Sequence, residues 1–404
     1  MKLIAQPALD TVNLGGVPTP SIDELLAMQG GDYILRARGG TLTRVPVEKS
    51  TLPRDPLGHV QQMTVKLSPD GRIYVNQPTM TCMSSDGGRS WEPHECDDKL
   101  LLARPENGNA RKQILSDGTF LAITVCPENG GDLAEVWTSV DAGRTFEKKS
   151  VIPSPDEFDE FREWGVPMEL FCGPDDTLIY SVRVTNAKFE NGFFGWISGK
   201  AMLTVFRSAD KGQTWDGPFW MMDWVSEGGM ARMASGKLLA VVRYQRPSLP
   251  DDSPDLLERT GMAVNPFDSA LPYPFKHVML VDSKDGGRTW TNHRLLTSLF
   301  GQCYGFPVGL SDGTAVVVHD HRYPRHPSAG RAMVSHDEGE TWEDEVYYMF
   351  SGVALAGLSQ SVVLDDDVIL TVGGVCENME SHHSWHGPQG NTDLTAIRWK
   401  PERG

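Results

Sequence analysis

Cysteine is scarce in this 404-residue chain: six residues, Cys82, Cys96, Cys126, Cys172, Cys303 and Cys376, with no C-x-x-C pair among them. That scatter excludes a disulfide framework or a zinc cage as the organising device and predicts free, mostly buried thiols. Positive charge is also short. A formal net charge of -17 leaves no broad basic face for a phosphate backbone, so nucleic-acid partners are excluded, while a local basic pocket for a small acidic ligand is not. No apolar run reaches the length of a signal peptide or a membrane span, so a cytoplasmic protein without a membrane partner is expected. Low-complexity tracts and charge blocks are missing too, and 39% hydrophobic residues suffice for a folded core.

What the chain has is repetition. The phrase "SSDGGRSW" (Ser84 to Trp91) returns as "SVDAGRTF", "SADKGQTW", "SKDGGRTW" and "SHDEGETW", a pattern S-x-D-x-G-x-[ST]-[WF]. Its aspartates, Asp86, Asp141, Asp210, Asp285 and Asp337, lie 55, 69, 75 and 52 residues apart, so the unit is one small sheet with variable loops. In each copy the Asp and Ser can bond nearby backbone donors, Gly supplies a positive φ, and the aromatic ring can be buried between layers. The phrases therefore read as structural staples rather than ligand sites.

A second signal interleaves with the first. Six apolar runs lead through a polar turn into a β-rich run: "VKLSPDGRIYV", "QILSDGTFLAI", "FCGPDDTLIYSV", "RMASGKLLAVV", "VGLSDGTAVVV" and "VVLDDDVILTV". Six hairpins with five phrases, in a chain holding 41 Gly and 27 Pro, predict an all-β fold: a six-bladed propeller of four-stranded antiparallel blades. Residues 1–30 read as an N-terminal extension and 31–404 as the propeller. The ring is expected to close when the N-terminal run "YILRARGGTLTRV" completes blade six beside "TDLTAIRWK".

These motifs resemble the sialidase-like propellers that carry Asp-box, or BNR, repeats, over about residues 55 to 400. The resemblance implies three arginines for a substrate carboxylate, an Asp acid/base and a Tyr nucleophile assisted by a Glu. In "SEGGMARMASGKLLAVVRYQ", Glu227 aligns with the assisting Glu and Arg243, 16 residues on, with the second arginine. The third falls on Arg322, Arg325 or Arg331. Three positions depart from the pattern: Gln61 replaces the first arginine, the loop "NQPTMTCMSS" contains no Asp, and Leu358 or a neighbour stands where Tyr belongs. A non-standard catalytic set is therefore expected.

Without the resemblance, the innermost strands line a funnel whose mouth is the natural ligand site. Arg183 follows the third hairpin at the offset of Arg243, and two guanidinium forks suit a carboxylate or sulfate. Tyr304 precedes the fifth hairpin as Glu227 precedes the fourth, and Asp320 shares the offset of Arg183. With His319 or His321 these supply an acid/base set. His319, His321 and His326, and the run His382, His383 and His386, allow a metal reading, but polar loops are the commoner outcome and neither metal nor cofactor is expected. The reading is a glycoside hydrolase acting on a terminal acidic sugar, with a small-molecule or oligosaccharide substrate. Its rivals are a uronic-acid lyase and a non-catalytic glycan-binding propeller.

Overall fold

The computed structural model describes residues 18–55, 63–77, 79–96, 110–125, 132–156, 163–185, 201–246, 252, 254, 275–296, 302–321, 329–342, 344–351, 359–376 and 392–402. Within them lie six antiparallel sheets of four or more strands and one α-helix. The six sheets are the blades of a propeller. Their innermost strands are Thr64–Leu67, Arg111–Ile114, Glu163–Cys172, Val225–Arg232, Gln302–Gly309 and Gln360–Val363, one for each predicted hairpin.

Every inner strand ends in the same turn. The amide of Ser68, Leu115, Gly173, Met233, Leu310 or Leu364 donates to the carbonyl four residues on, at 2.7–2.8 Å. In all six turns the residue three after the donor has positive φ: Gly71, Gly118, Asp176, Gly236, Gly313 and Asp367. A tight turn followed by one left-handed residue matches the twist of the flanking strands, which is why Asp-Gly and Ser-Gly recur there.

Six apolar clusters fill the ring, one at each interface between neighbouring blades. Each sheet is buried on both faces, so its middle strands are apolar on both sides; Leu238–Arg246 and Phe275–Ser283 are buried almost throughout. At about 25 cal/mol per Å² of apolar surface removed from water, these interfaces are the main source of stability.

The repeated phrases sit between the third and fourth strands. In the first, Gly88 N donates to Ser84 Oγ at 2.8 Å, the amides of Arg89 and Ser90 donate to Asp86 Oδ1 at 2.9 Å, and Ser90 Oγ donates to Asp86 Oδ2 at 2.6 Å. The Gly-to-Ser bond and the Thr-to-Asp bonds recur at Asp141, Asp210, Asp285 and Asp337. Gly88 has φ +86°, and a Cβ there would lie 2.7 Å from Leu370 Cδ1, so both the turn and the neighbouring blade require glycine.

The ring closes, but not with the strand expected. Tyr33–Arg38 and Thr41–Pro46 form a hairpin that pairs with Glu345–Ser351 and widens blade five to six strands. The outermost strand of blade six is the short Glu48–Thr51, paired with Thr392–Trp399. The physical reason is local: Gly39 and Gly40, both at positive φ, fold the longer run back on itself, which leaves the next four residues to cross to blade six. The helix Ile22–Gly30, held by a capping box between Ser21 and Glu24, buries Leu25 and Met28 in the cluster between blades four and five. Lys49, on the closing strand, caps that helix by donating to the carbonyls of Met28 and Gly31 at 2.6 Å each.

Candidate active site

Counting back from the six equivalent turns gives the inner strands a common register. Four residues before the turn stand Thr64, Arg111, Glu169, Gly229, Phe306 and Gln360; six before it stand Pro167, Glu227 and Tyr304 in blades three to five. On this parity the side chains reach the next blade in the ring. Arg111 Nη2 donates to Pro167 O at 2.8 Å, Gln113 Nε2 to Leu170 O at 3.3 Å, and Gln360 Oε1 accepts from Val65 N at 2.9 Å. Polar groups on this parity are thus delivered along the edge of the central channel, with Glu227, six residues before its turn, nearest the end opposite the turns.

Glu227 and Arg243 meet there. Arg243 Nε lies 2.7 Å from Glu227 Oε2 and 3.1 Å from Ser226 Oγ, and Ser226 Oγ donates to the same carboxylate oxygen at 2.8 Å. Arg243 is 5% exposed at its side chain and Glu227 18%, so the arginine is buried and the carboxylate is the more exposed partner. The bulge at Val225/Gly228 brings this about. It shifts the register between inner and second strands one turn before the apolar core begins, which re-aims Glu227.

The second strands sort the other predicted residues. Leu239 and Val241 share an apolar cluster with Ala315, Val317 and Met333 of blade five, so Arg243, on the same face, points into the cleft between blades four and five. From the far side of that cleft come His319 and Arg331, adjacent across their strands, both almost fully buried. Arg331 stacks over the Tyr348 ring at 5.1 Å, and burial pushes its guanidinium pKa down. Arg183, buried at the equivalent position of blade three, faces blade four, so it and Arg243 flank blade four on opposite sides. Arg246 is fully buried and forks onto Asp252 at 2.6 and 2.7 Å.

Tyr304, Asp320 and His321 belong to strands whose backbones run to the same end: Cys303 pairs with Asp320, and Gln302 with His321. Gln61, Arg322, Arg325, His326, Leu358 and His382, His383 and His386 lie outside the described residues. Among the described residues no group of three or more His, Cys, Asp or Glu is placed to hold a metal ion. No helix there is long and apolar enough to cross a membrane.

The structure adds residues that sequence reasoning missed. Arg111, on blade two, has its pKa lowered by burial, with Glu169, Tyr180 and Glu227 opposing in that order, so it sits in the field of two carboxylates from blades three and four. Glu169 is 6% exposed and reaches across the channel to Lys66 Nζ of blade one at 3.5 Å. The turn register would have found both, since Arg111 and Glu169 occupy the same place in successive blades. The loop after Asn76, which has no Asp of its own, borrows one: Thr79 donates from N and Oγ1 to the Asp55 carboxylate at 2.7 and 2.8 Å. Both oxygens of that carboxylate are engaged, so it braces the loop.

The chain is thus a six-bladed propeller that carries a carboxylate, a partnered arginine and further buried cations on its inner and second strands. No protein-family profile matches the chain, and no curated protein matches it by sequence. Solved structures do match. The α-L-arabinofuranosidase Arb93A from Fusarium graminearum, in complex with an iminosugar inhibitor, is 15% identical with a TM-score of 0.55, over 87% of this chain and 97% of its own. The Penicillium chrysogenum α-L-arabinanase complexed with arabinobiose is 12% identical with a TM-score of 0.53, over 87% and 98%. A Hadza microbial sialidase, Hz136, is 14% identical with a TM-score of 0.52, over 84% and 65%. At such identities the likeness establishes the fold alone.

Proposed function

We propose that the protein is a carbohydrate-active enzyme, a glycoside hydrolase of the sialidase-like kind that removes a terminal acidic sugar with a non-standard catalytic set. The observation that carries this reading is the Glu227–Arg243 pair at the channel mouth, with the carboxylate as the more exposed partner. Arg243 and Ser226 hold Glu227 in one orientation, as acid/base or nucleophilic work at a sugar carbon requires. Tyr304, Asp320 and His321 of blade five complete the set in this proposal, while Arg183, Arg331 and Arg111 supply positive charge for an anionic substituent. The arabinan-acting neighbours favour a second reading, a neutral furanoside. It draws further support from Arg243 already being engaged by Ser226 and Glu227, which leaves less of its fork for an anion.

The test is a screen of purified protein against an aryl sialoside, an aryl uronide and an aryl α-L-arabinofuranoside, followed by Glu227→Gln on whichever is cleaved. Loss of one general acid/base or nucleophile lowers kcat/KM by about 10²–10⁴-fold. The variant is expected to show that loss with a nearly unchanged melting temperature. A Glu227→Gln protein of full activity on the cleaved substrate would refute the assignment.

A further inference from the structure

The channel has a second opening. At the end where the inner strands turn, a cavity of about 750 Å³ reaches up the axis to Glu169, Gln360 and Phe306. It lies at the opposite end from Glu227, which does not line it, and nothing in the hydrolase proposal uses it. Its size falls within the range of small-molecule sites.

The lining is specific in three ways. The inner wall is polar and paired: Lys66 and Glu169 face each other at 3.5 Å, a separation too long for a strong bond, and the Gln113 and Gln360 amides stand beside them. Apolar walls accompany it, formed by Phe171, Phe306, Val308 and Val362. The charges cancel, since Lys66 and Arg232 balance Glu169 and Asp176, so the site offers no net attraction to an ion of either sign. Rigid walls come with it. The turns around the rim are tied to their neighbours, Ser116 N and Oγ to Asp176 at 2.7 and 2.6 Å and Ser311 N and Oγ to Asp367 at 3.0 and 2.6 Å.

An uncharged ligand with hydroxyl groups on its edge and C–H groups on its face matches this lining. We infer that the turn-side cavity binds a neutral saccharide of one or two rings, its hydroxyls shared between Lys66, Glu169 and the two amides and its apolar face against Phe306 and Phe171. A hydroxyl can donate to Glu169 and accept from Lys66 at once, which relieves the long contact between them. The propeller would then carry a sugar at each end of its axis, one for reaction and one for retention.

The experiment measures binding of D-galactose and L-arabinose by calorimetry to the wild-type chain and to three variants: Val362→Trp, which fills the cavity; Lys66→Met, which removes one polar partner; and Arg243→Ala, which alters the other end. Saturable binding that falls at least tenfold in Val362→Trp and Lys66→Met, and changes less than twofold in Arg243→Ala, is the expected result. No saturable binding of either sugar by the wild-type chain overturns the inference. So does binding that Arg243→Ala abolishes and Val362→Trp leaves intact. Should either cavity variant fail to fold, peptide-resolved alkylation of Cys172, which lines the cavity, decides on the wild-type chain alone. Sugar slows modification of Cys172 if it occupies this site, and an unchanged rate counts against it.

Discussion

A single aspartate shows how one residue type governs the acid limit of this protein. Burial pushes the box carboxylates up, but their Thr and Ser partners and backbone amides outweigh it, and Asp210 and Asp285 are held down to about 2 against an ordinary 3.8. A folded-state value below the unfolded one means stability that is fully present above pH 4 and is lost as pH falls through 2. Melting temperature is therefore expected to drop steeply between pH 4 and 2, and Asp285→Asn to lie below wild type at pH 6 and converge on it near pH 2. A constant gap across that range would show that the carboxylate charge is not what the turn uses. Lys112 works in the other direction. Buried in blade two, with burial the main cause, its ammonium is depressed to about 7. The unfolded chain thus binds the extra proton between pH 7 and 10, so this residue destabilises the fold most below pH 7. Lys112→Met should raise the melting temperature more at pH 6 than at pH 9.

At the same scale, the candidate site was only partly legible. Glu227, Arg243 and Arg183 could be placed because each sits at a fixed count from a turn that the sequence announces. Arg111 and Glu169 stand out only once the turns of neighbouring blades are aligned, and Ser226 not even then, since an isolated Ser, Arg or Glu in a β-rich run carries no signal of its own. Opposing faces of one strand were equally hidden. The sequence cannot say whether His319 or Asp320 enters the cleft with Arg331, whereas the apolar parity of Ala315 and Val317 assigns His319 to it.

Among elements, the closing strand is the one to test. Ser50 Oγ donates to Gly88 O at 2.6 Å and accepts from Trp91 Nε1 at 2.9 Å, so this short strand links blade six to the first box of blade one. Ser50→Ala leaves the Trp91 indole and a carbonyl without that partner, at a cost of about 1–3 kcal/mol. Urea denaturation should show the loss in the midpoint with an unchanged slope. "EKST" is four polar residues long and has none of the apolar content that marks strands, whereas "YILRARGGTLTRV" has apolar residues on both sides of a Gly-Gly turn. Pattern strength therefore picked the wrong partner for blade six. The six hairpins were legible for the converse reason: turn chemistry and β-rich flanks agree at every copy.

On the scale of the whole molecule, order along the chain and order around the ring do not coincide. Glu48–Thr51 leaves the ribosome before any of the inner strands, while its partner Thr392–Trp399 follows all the other described strands. At about 5–20 residues per second of synthesis, blades one to five have tens of seconds to assemble while the two halves of the clasp are still apart. Nascent chains stalled short of residue 392 should thus hold an open arc that proteases attack, and resistance should appear in one step once the terminal strand is free to dock. The propeller is in this sense a necklace fastened only after the final bead is strung, and a cell making it must protect the unfastened arc until then.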